Sequence, residues 1–429
     1  MSVLFDKTNI KGVELKNRLV RSATHESMAD EKGFPTESLF KLYDRLAKGG
    51  VGLIITGYTF VSRDGKASAM LGIDTDEHVS KYKKLVDQVH KSGAKIAMQI
   101  NHCGRQTTKD MTGTQTIAPS AVKDNSFLDT PRAMTEKDIH NVIDAFAKAS
   151  KRVKESNFDA VQLHGAHGFI INQFLCPHTN RRKDKWGGLI ENRMRIVKEI
   201  YKACREQVGE DYPIFIKMNA YDNMKSGIKE EEGVIMAEMM ADIGFDAIEV
   251  SCGIGEDGGS TLRGGFPIDV ALDTWPMYKK QNAILRFVMR HFGEKIVKPV
   301  PFSQGFNRKV AKEIKSKVNI PIFLVGGMID PTVMENVIEQ GDADYISLSR
   351  AIVHDPKFPN KIKEGNMEPS KCLHCNLCLF GVISSPLRCH YGNKDNIRSK
   401  DVLTSISVFS TIVRVRTHHH IKTLQVLSM

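Results

Sequence analysis

Short runs of apolar, often β-branched residues alternate along the chain with longer stretches in which apolar residues recur at helical spacing. This alternation is typical of a parallel α/β fold. The predicted strands are Arg18–Ser22, Gly52–Thr56, Ile96–Ile100, Ala160–Leu163, Ile214–Met218, Ala247–Val250, Ile322–Val325 and Tyr345–Leu348. The predicted helices are Ser38–Lys48, Val79–Lys91, Glu136–Glu155, Glu191–Gln207, Glu230–Ile243, Lys309–Val318 and Thr332–Gln340.

Eight strands that each precede a helical stretch predict a TIM (β/α)8 barrel, in which functional residues lie at the carboxyl ends of the strands. A doubly wound sheet is the alternative. The number of βα units and the lack of a GxGxxG motif after the first strand count against it. The run Thr135-Glu-Lys-Asp138 has the pattern of a capping box and is expected to open the long third helix.

Composition and charge limit the classes of function. The chain has 429 residues, of which 41% are hydrophobic and 26% charged, as in soluble globular proteins. No run approaches the roughly 20 apolar residues that span a bilayer, and charges interrupt the N-terminal stretch where a signal peptide would be apolar. We therefore expect a cytoplasmic protein without a membrane partner.

The formal net charge of +11 comes from Lys and Arg residues that are scattered among acidic residues. A nucleic-acid-binding surface would need a basic stripe with aromatic residues between the charges. The sequence has no such stripe, so the charge predicts a solvated surface and no nucleic-acid partner.

A pair of histidines marks the candidate reactive centre within Asp159–Asn180, DAVQLHGAHGFIINQFLCPHTN. His164 and His167 follow a predicted strand and are spaced to share one side of a tight turn. Two imidazoles there can donate N–H bonds to one substrate oxygen and stabilise its developing charge. Two separately satisfied core histidines are the alternative, but the neighbouring Gly165 and Gly168 and the strand-end position favour the functional interpretation.

The run that begins at His164, HGAHGFIINQFLCPHTNRRKDKWGGLIENRMR, closely resembles the signature of the old yellow enzyme family of FMN-dependent oxidoreductases. The similarity is to the bacterial-type branch with trimethylamine dehydrogenase and 2,4-dienoyl-CoA reductase. It covers residues 1–370 as an FMN-binding barrel and extends through a cysteine-rich segment, 371–392. The resemblance implies FMN as cofactor, NAD(P)H as reductant and a small-molecule substrate.

The resemblance also implies the residues that hold the flavin. Thr24 would lie beside the reactive edge of the ring, with the backbone of Ser22 and Ala23 facing it. Gln99 offers a donor and an acceptor, which suits the pyrimidine edge of the ring. Lys217 interrupts an apolar strand and would stabilise the negative charge of the reduced flavin. The candidate with no side chain is Gly57, which allows close approach of a flat ring.

Two further loops complete the candidate cofactor site. Gly326 and Gly327 follow the seventh strand, and Ser349 and Arg350 follow the eighth. Exposed backbone N–H groups and a guanidinium suit a phosphate, and barrels commonly bind phosphate at these two loops. His102 and Arg105 are weaker candidates, because either could simply fasten its loop.

Four cysteines lie close together near the C-terminus. Cys372, Cys375 and Cys378 form a CxxCxxC motif, and Cys389 follows after ten intervening residues. The branch members that the chain resembles hold a [4Fe–4S] cluster by such a motif. Zinc and an empty remnant are the alternatives. Those relatives continue into nucleotide-binding domains that are missing here, so electrons would come from NAD(P)H directly or from a separate electron-transfer protein. The tail 393–429 has no recognisable motif.

One position departs from the family pattern. Enone-reducing members have a tyrosine that protonates the substrate where this chain has Phe169, and a phenyl ring cannot deliver a proton. Tyr58 is the nearest replacement, with solvent as the alternative. The long segment after the sixth strand is expected to cover the mouth of the site and to determine substrate selectivity.

Three functions remain open. In the leading hypothesis, NAD(P)H reduces FMN, and hydride passes to an α,β-unsaturated carbonyl held by His164 and His167. The second is an FMN/iron–sulfur dehydrogenase that oxidises an amine or another donor, and the third is a flavin or cluster protein that carries electrons or acts as a sensor. The substrate, the choice between NADH and NADPH, and the oligomeric state, with a homo-oligomer as one alternative, are left open.

Overall fold

The computed structural model describes residues 2–257, 260–279, 281–297 and 299–391. The chain divides into two compact units, Met1–Leu387 and Arg388–Met429, and the described part of the second is residues 388–391. The predicted tail 393–429 therefore lies outside the described residues. The predicted domain boundary after residue 370 stays a prediction.

Eight parallel strands form the centre of the first unit, as the apolar runs predicted. They are β1 (Leu19–Arg21), β2 (Leu53–Ile55), β3 (Lys95–Asn101), β4 (Ala160–Gly165), β5 (Ile214–Asn219), β6 (Ala247–Ser251), β7 (Ile322–Val325) and β8 (Tyr345–Leu348). Each pairs with the next, and β8 pairs with β1 in the register Ser347↔Val20, which closes the sheet. This topology confirms the predicted TIM barrel.

A helix follows each of the first seven strands. These helices are α1 (Glu37–Lys48), α2 (Glu77–Lys91), α3 (Glu136–Glu155), α4 (Ile190–Val208), α5 (Glu230–Ile243), α6 (Arg308–Lys315) and α7 (Pro331–Glu339). The capping box is confirmed, since the Thr135 hydroxyl accepts from the Asp138 N–H and the Asp138 carboxylate accepts from the Thr135 N–H. Helix α6 ends three residues before the predicted end. The prediction ran too far because Val318, which lies beyond the cap at Ser316, is a buried apolar residue that continues the apolar spacing of the helix.

The remaining elements extend this plan. Helices Arg350–His354 and Phe358–Lys363 follow β8, and the segment after β6 contains helices Ile268–Thr274, Pro276–Lys279 and Ala283–Ile296. Shorter elements are the helices Lys109–Thr112, Ile170–Leu175 and Leu377–Gly381, the 3-10 turns Val3–Phe5 and Arg63–Gly65, and the strands Thr8–Ile10, Val13–Leu15, Thr59–Phe60, Leu71–Gly72, Ile117–Ala118 and Arg132–Ala133. None of the described helices is long and apolar enough to cross a membrane.

The lower interior of the barrel is apolar. One buried cluster joins side chains from all eight strands with Ile10 and Leu15 of the N-terminal hairpin. The hairpin therefore closes the barrel at the amino ends of its strands, and the carboxyl ends remain for the site. The strand residues in the cluster are Val20, Leu53, Ile55, Ala97, Ala160, Phe215, Ala247, Phe323 and Tyr345.

Candidate active site

A polar layer lies directly above the apolar interior. Side chains of a strand alternate between its two faces, so the residue two places after each interior apolar residue also points inward. Here that residue is polar on six strands, and all six are buried. We call these residues the polar layer: Ser22, Gln99, Gln162, Lys217, Glu249 and Ser347.

Hydrogen bonds join five members of the polar layer. The Glu249 carboxylate accepts from Ser22 Oγ at 2.7 Å and from Gln162 Nε2 at 3.0 Å, and Lys217 Nζ lies 3.2 Å from its Oε2. Lys217 Nζ also donates to Ser22 Oγ at 2.9 Å, and Gln99 Nε2 donates to Gln162 Oε1 at 2.7 Å. The fold thus brings together the predicted residues Ser22, Gln99 and Lys217.

Gln162 and Glu249 were not predicted as site residues. Both lie in predicted strands, where a single polar residue among apolar ones resembles an ordinary strand residue. The signal that could have identified them is their spacing, because each lies two residues after an alanine, as Gln99 does.

The predicted histidine pair lies at the carboxyl end of β4. The His164 and His167 rings are perpendicular, with centroids 5.1 Å apart. Burial lowers the pKa of His167 to about 3 and lowers the pKa of His164 well below its usual range, and the positive charge of Lys217 acts in the same direction. Both imidazoles are therefore neutral at physiological pH, and each carries one N–H.

The ring and backbone of His167 are held in place from several sides. Its Nε2 lies 2.7 Å from Ser251 Oγ at the end of β6. Its backbone adopts a left-handed conformation with φ 60°, which is costly for a residue with a Cβ. The Asn219 side chain accepts from the His167 N–H, and Gln106 Nε2 donates to the His167 carbonyl, so neighbouring loops hold this strained turn.

An aromatic cluster lines one side of the histidine pair. His25 stacks on Tyr58 with centroids 4.8 Å apart, and Phe169 lies 4.9 Å from Tyr58 and 4.7 Å from His164. Burial raises the pKa of the Tyr58 phenol, which therefore stays protonated. His25 was missed, although it directly follows the predicted residue Thr24.

Closure of the barrel brings the loop after β1 beside the loop after β8. Thr24 Oγ1 donates to the Ser22 carbonyl at 3.1 Å and lies 3.1 Å from Ser349 Oγ. Ala23 packs beside the apolar interior of the barrel. The structure therefore gathers the predicted residues of these two loops on one side of the barrel mouth.

Glycine at position 57 has a structural reason that the sequence did not indicate. The Gly57 N–H donates to Glu26 at 2.8 Å, and a Cβ on Gly57 would lie 2.0 Å from a Glu26 carboxylate oxygen. Glu26 forms a buried ion pair with Arg21 at 2.8 Å. The close approach seen at Gly57 is that of Glu26, and the approach of a flavin ring stays a prediction.

The two glycines after β7 both adopt positive φ angles, and their contact with a phosphate stays a prediction. Gly326 has φ 138° and Gly327 has φ 68°, and a Cβ on Gly327 would lie 2.4 Å from the carbonyl of Ser303. Arg350 Nη1 donates to the Arg263 carbonyl at 2.7 Å and to Asn376 Oδ1 at 2.6 Å. Part of the predicted phosphate ligand is therefore used to hold the cysteine-rich segment.

The two weaker candidates fasten loops. His102 Nδ1 accepts from the Gly104 N–H at 3.0 Å. Arg105 is buried and donates to the Asp124 carboxylate at 3.0 Å and to two backbone carbonyls of the same loop. These contacts agree with the alternative that the sequence left open for both residues.

The cysteine-rich segment approaches the barrel mouth at Asn376. Asn376 has φ 60° and donates to the carbonyls of Leu262 and Gly265 in the segment after β6. Burial lowers the pKa of Arg350, and the thiols of Cys372, Cys378 and Cys375 act in the opposite direction. Across the part of the chain that the structure describes, no three His, Cys, Asp or Glu side chains converge as a metal site. Cys389 belongs to the second unit.

Buried polar groups without a hydrogen-bond partner at the barrel mouth fit FMN. His164 Nδ1 and Ser347 Oγ are buried without a hydrogen-bond partner among the described residues. The positive-φ glycines after β7 lie at the same end of the barrel. A ligand with several ring acceptors and donors and a phosphate would satisfy such groups.

Comparisons with known proteins support this cofactor. The sequence profile of the NADH:flavin oxidoreductase / NADH oxidase family matches residues 3–254. An NADH oxidase of Thermoanaerobacter brockii is 37% identical over 391 residues, which are 90% of this chain and 54% of that protein. An NADPH dehydrogenase of a Geobacillus species is 33% identical over 360 residues, 83% of this chain and 93% of that protein.

Among solved structures, a 2-naphthoyl-CoA reductase in complex with 2-naphthoyl-CoA superposes with a TM-score of 0.78 at 25% identity, covering 90% of this chain and 56% of that chain. The chain spans about half the length of the first curated relatives that it matches. The match of the family profile over more than half of the chain agrees with the resemblance seen in the sequence. The chain therefore belongs to the NADH:flavin oxidoreductase / NADH oxidase family, to which the old yellow enzyme resemblance pointed, and FMN is its cofactor.

Proposed function

We propose that this protein is an FMN-dependent oxidoreductase in which NAD(P)H supplies hydride and an α,β-unsaturated carbonyl accepts it. The observation that carries the proposal is the pair of buried, neutral imidazoles beside the polar layer at the carboxyl end of the barrel. Bound FMN supplies the hydride-transfer chemistry. The name of the T. brockii relative, NADH oxidase, agrees with a nicotinamide reductant.

His164 and His167 would hold the substrate carbonyl. Hydride addition to the β-carbon moves an electron pair through the double bond to the carbonyl oxygen. Two N–H donors at that oxygen stabilise the charge as it develops, and loss of one such donor typically slows a reaction by about 100-fold to 1000-fold. Because both rings are neutral, they stabilise the oxygen by hydrogen bonding and transfer no proton to it.

The α-carbon needs a separate proton, which we assign to Tyr58. Its ring packs against Phe169 and lies 6.2 Å, between centroids, from His164. The phenol stays protonated because burial raises its pKa. His25 stacks on the Tyr58 ring and would orient it.

The test separates the two halves of the reaction. In His164→Ala and His167→Ala, we expect rapid reduction of the flavin by NADH or NADPH and a loss of about 100-fold or more in reoxidation by cyclohexenone. Tyr58→Phe should slow the same step by about 100-fold. His140→Ala, which changes an exposed histidine on α3, is the matched control.

Three results would contradict this proposal. A purified protein without FMN would remove its basis. Full reoxidation by the enone in both histidine variants would show that the pair does not hold the acceptor, and an FMN protein that turns over no enone would favour the electron-carrier alternative.

We propose further that Cys372, Cys375 and Cys378 supply ligands to a [4Fe–4S] cluster that exchanges electrons with a partner protein; the fourth ligand, Cys389, stays a prediction from the sequence. The spacing carries this proposal, and the contact of the segment with Arg350 supports it. Iron and acid-labile sulfide should be present at about four each per chain in protein purified without oxygen. Zinc or no metal would contradict it. A cytoplasmic location and a homo-oligomeric state stay predictions.

A further inference from the structure

Glu249 is a buried carboxylate that the proposed reaction does not use. It is 1% exposed, lies on β6, and is paired in register with Lys217 of β5. Burial of a charged carboxylate is costly unless donors and a counter-charge surround it. Here three different strands supply them, through Ser22, Gln162 and Lys217.

Glu249 fixes which groups of the polar layer donate and which accept. The Ser22 hydroxyl donates to Glu249, so its oxygen is left to accept from Lys217. Gln162 donates its amide to Glu249, so its oxygen is left to accept from Gln99. Since the amide nitrogen of Gln99 is used in this way, its oxygen becomes the free acceptor. One carboxylate thus orients two predicted flavin contacts, Ser22 after β1 and Gln99 on β3.

The charge of Glu249 balances that of Lys217. The other charged or titratable groups that act on Lys217 are Arg21, which is itself paired with Glu26, and the neutral rings of His164 and His167. Burial and Arg21 lower the pKa of Lys217, and Glu249 is the group that raises it. Among the described residues, Glu249 is therefore the counter-ion of this ammonium.

We propose that Glu249 is a positioning residue of the flavin site, which keeps Lys217 cationic and sets the hydrogen-bond direction of Ser22 and, through Gln162, of Gln99. This inference rests on the flavin site proposed above. Its consequence is that reduction of the flavin proceeds without proton uptake by either member of the pair, because both members remain charged in both redox states.

The reduction potential of the bound flavin, measured against pH, tests this proposal. In Glu249→Gln, Lys217 loses its counter-ion, becomes neutral at moderate pH, and takes up a proton when the flavin gains negative charge. We expect a steeper fall of the potential with pH than in the wild type. One extra proton for two electrons is a tenfold change per pH unit, or ~30 mV.

Lys217→Met gives an independent second measurement. Here Glu249 is left without a counter-ion, and extra proton uptake on reduction is expected again, now at the carboxylate. The double variant Lys217→Met/Glu249→Gln has neither charge and should return to the wild-type slope. Glu232→Gln is the matched control, since it removes a carboxylate paired with Arg193 on the outer helices.

The outcomes are distinguishable from those of the proposed function. Wild-type slopes in both single variants that hold FMN would overturn the inference and leave the flavin site intact. If Glu249→Gln does not retain FMN, Lys217→Met with a wild-type slope is sufficient to overturn it. A wild-type protein that binds no FMN would overturn the proposed function itself.

Discussion

At the scale of single residues, Phe169 is the position at which the sequence departs from the pattern that the resemblance implies. The phenyl ring contacts both His164 and Tyr58 and so lies beside the histidine pair. Tyr58 is in turn stacked with His25. The structure therefore offers a phenol beside the site even though the expected position lacks one.

Replacement of Phe169 by Tyr should restore a second proton donor. In the Tyr58→Phe background, Phe169→Tyr is expected to recover flavin reoxidation by an enone by as much as about 100-fold. Reduction by NAD(P)H should stay unchanged. Stopped-flow absorbance of the flavin measures both steps, and Phe287→Tyr on an exposed helix face is the control. No recovery would indicate that the proton comes from solvent.

The depressed pKa of His167 predicts acid sensitivity of the fold. Its folded value is about 3 against an ordinary 6.5, so between these pH values the unfolded state binds the extra proton. Stability is fully present above pH 6.5 and is lost as the pH falls, by up to about 1.4 kcal/mol per pH unit. Urea unfolding from pH 7.5 to 4.5 should show a shallower loss for His167→Asn than for wild type or for His140→Asn. Equal slopes would contradict the assignment.

At the scale of elements, helix α3 shows how a local signal specifies a boundary. Its capping box satisfies two backbone N–H donors at the first turn, those of Thr135 and Asp138, and one face of the helix is buried. The start of the helix was predicted correctly because the interacting groups are three residues apart. Helix α6 has no such local signal at its end. Val318 is apolar and buried at a position that fits the helical spacing, so the predicted end was too late.

Loss of this cap should have a measurable cost. Thr135→Ala is expected to lower the free energy of unfolding by about 1 kcal/mol, because the Asp138 N–H loses its acceptor. Thr108→Ala is the matched control, since Thr108 precedes the helix Lys109–Thr112 without a side-chain cap hydrogen bond. Chemical denaturation of both variants gives the comparison, and equal effects would show that the capping box adds nothing.

At the scale of the whole molecule, the N-terminal hairpin completes the barrel. Leu15 is buried in the interior cluster with side chains from strands that are separated by most of the chain. Closure by β8 and β1 places the two candidate loops side by side. The hairpin at one end and the polar layer at the other divide the barrel into a structural and a chemical half.

Truncation of the Leu15 side chain in the N-terminal hairpin should destabilise the entire unit. Leu15→Ala is expected to cost about 2–5 kcal/mol, because it leaves a cavity that strands cannot fill. Leu189→Ala, at a position 74% exposed, should change stability by less than about 0.5 kcal/mol. Thermal and urea unfolding provide the measurement. A small effect at Leu15 would mean that the hairpin does not support the barrel.

Much of the site was predictable because TIM-barrel chemistry lies at strand ends. Ser22, Gln99, Lys217 and the histidine pair follow or end predicted strands, and the structure gathers them at one end of the barrel. Gln162, Glu249 and His25 were missed because their importance comes from partners on other strands or loops. Ser22 and Glu249, for example, are 227 residues apart in sequence.

The sequence by itself determined the order of strands and helices, the helix cap at Thr135 and the family, because these depend on apolar periodicity, on groups a few residues apart and on a continuous motif. Only the tertiary structure decided which polar side chains share a layer and which charge balances Lys217. It also decided that Gly57 makes room for Glu26 and that Arg350 holds Asn376. The physical reason is that these contacts form only when the barrel closes and brings distant strands within hydrogen-bond distance.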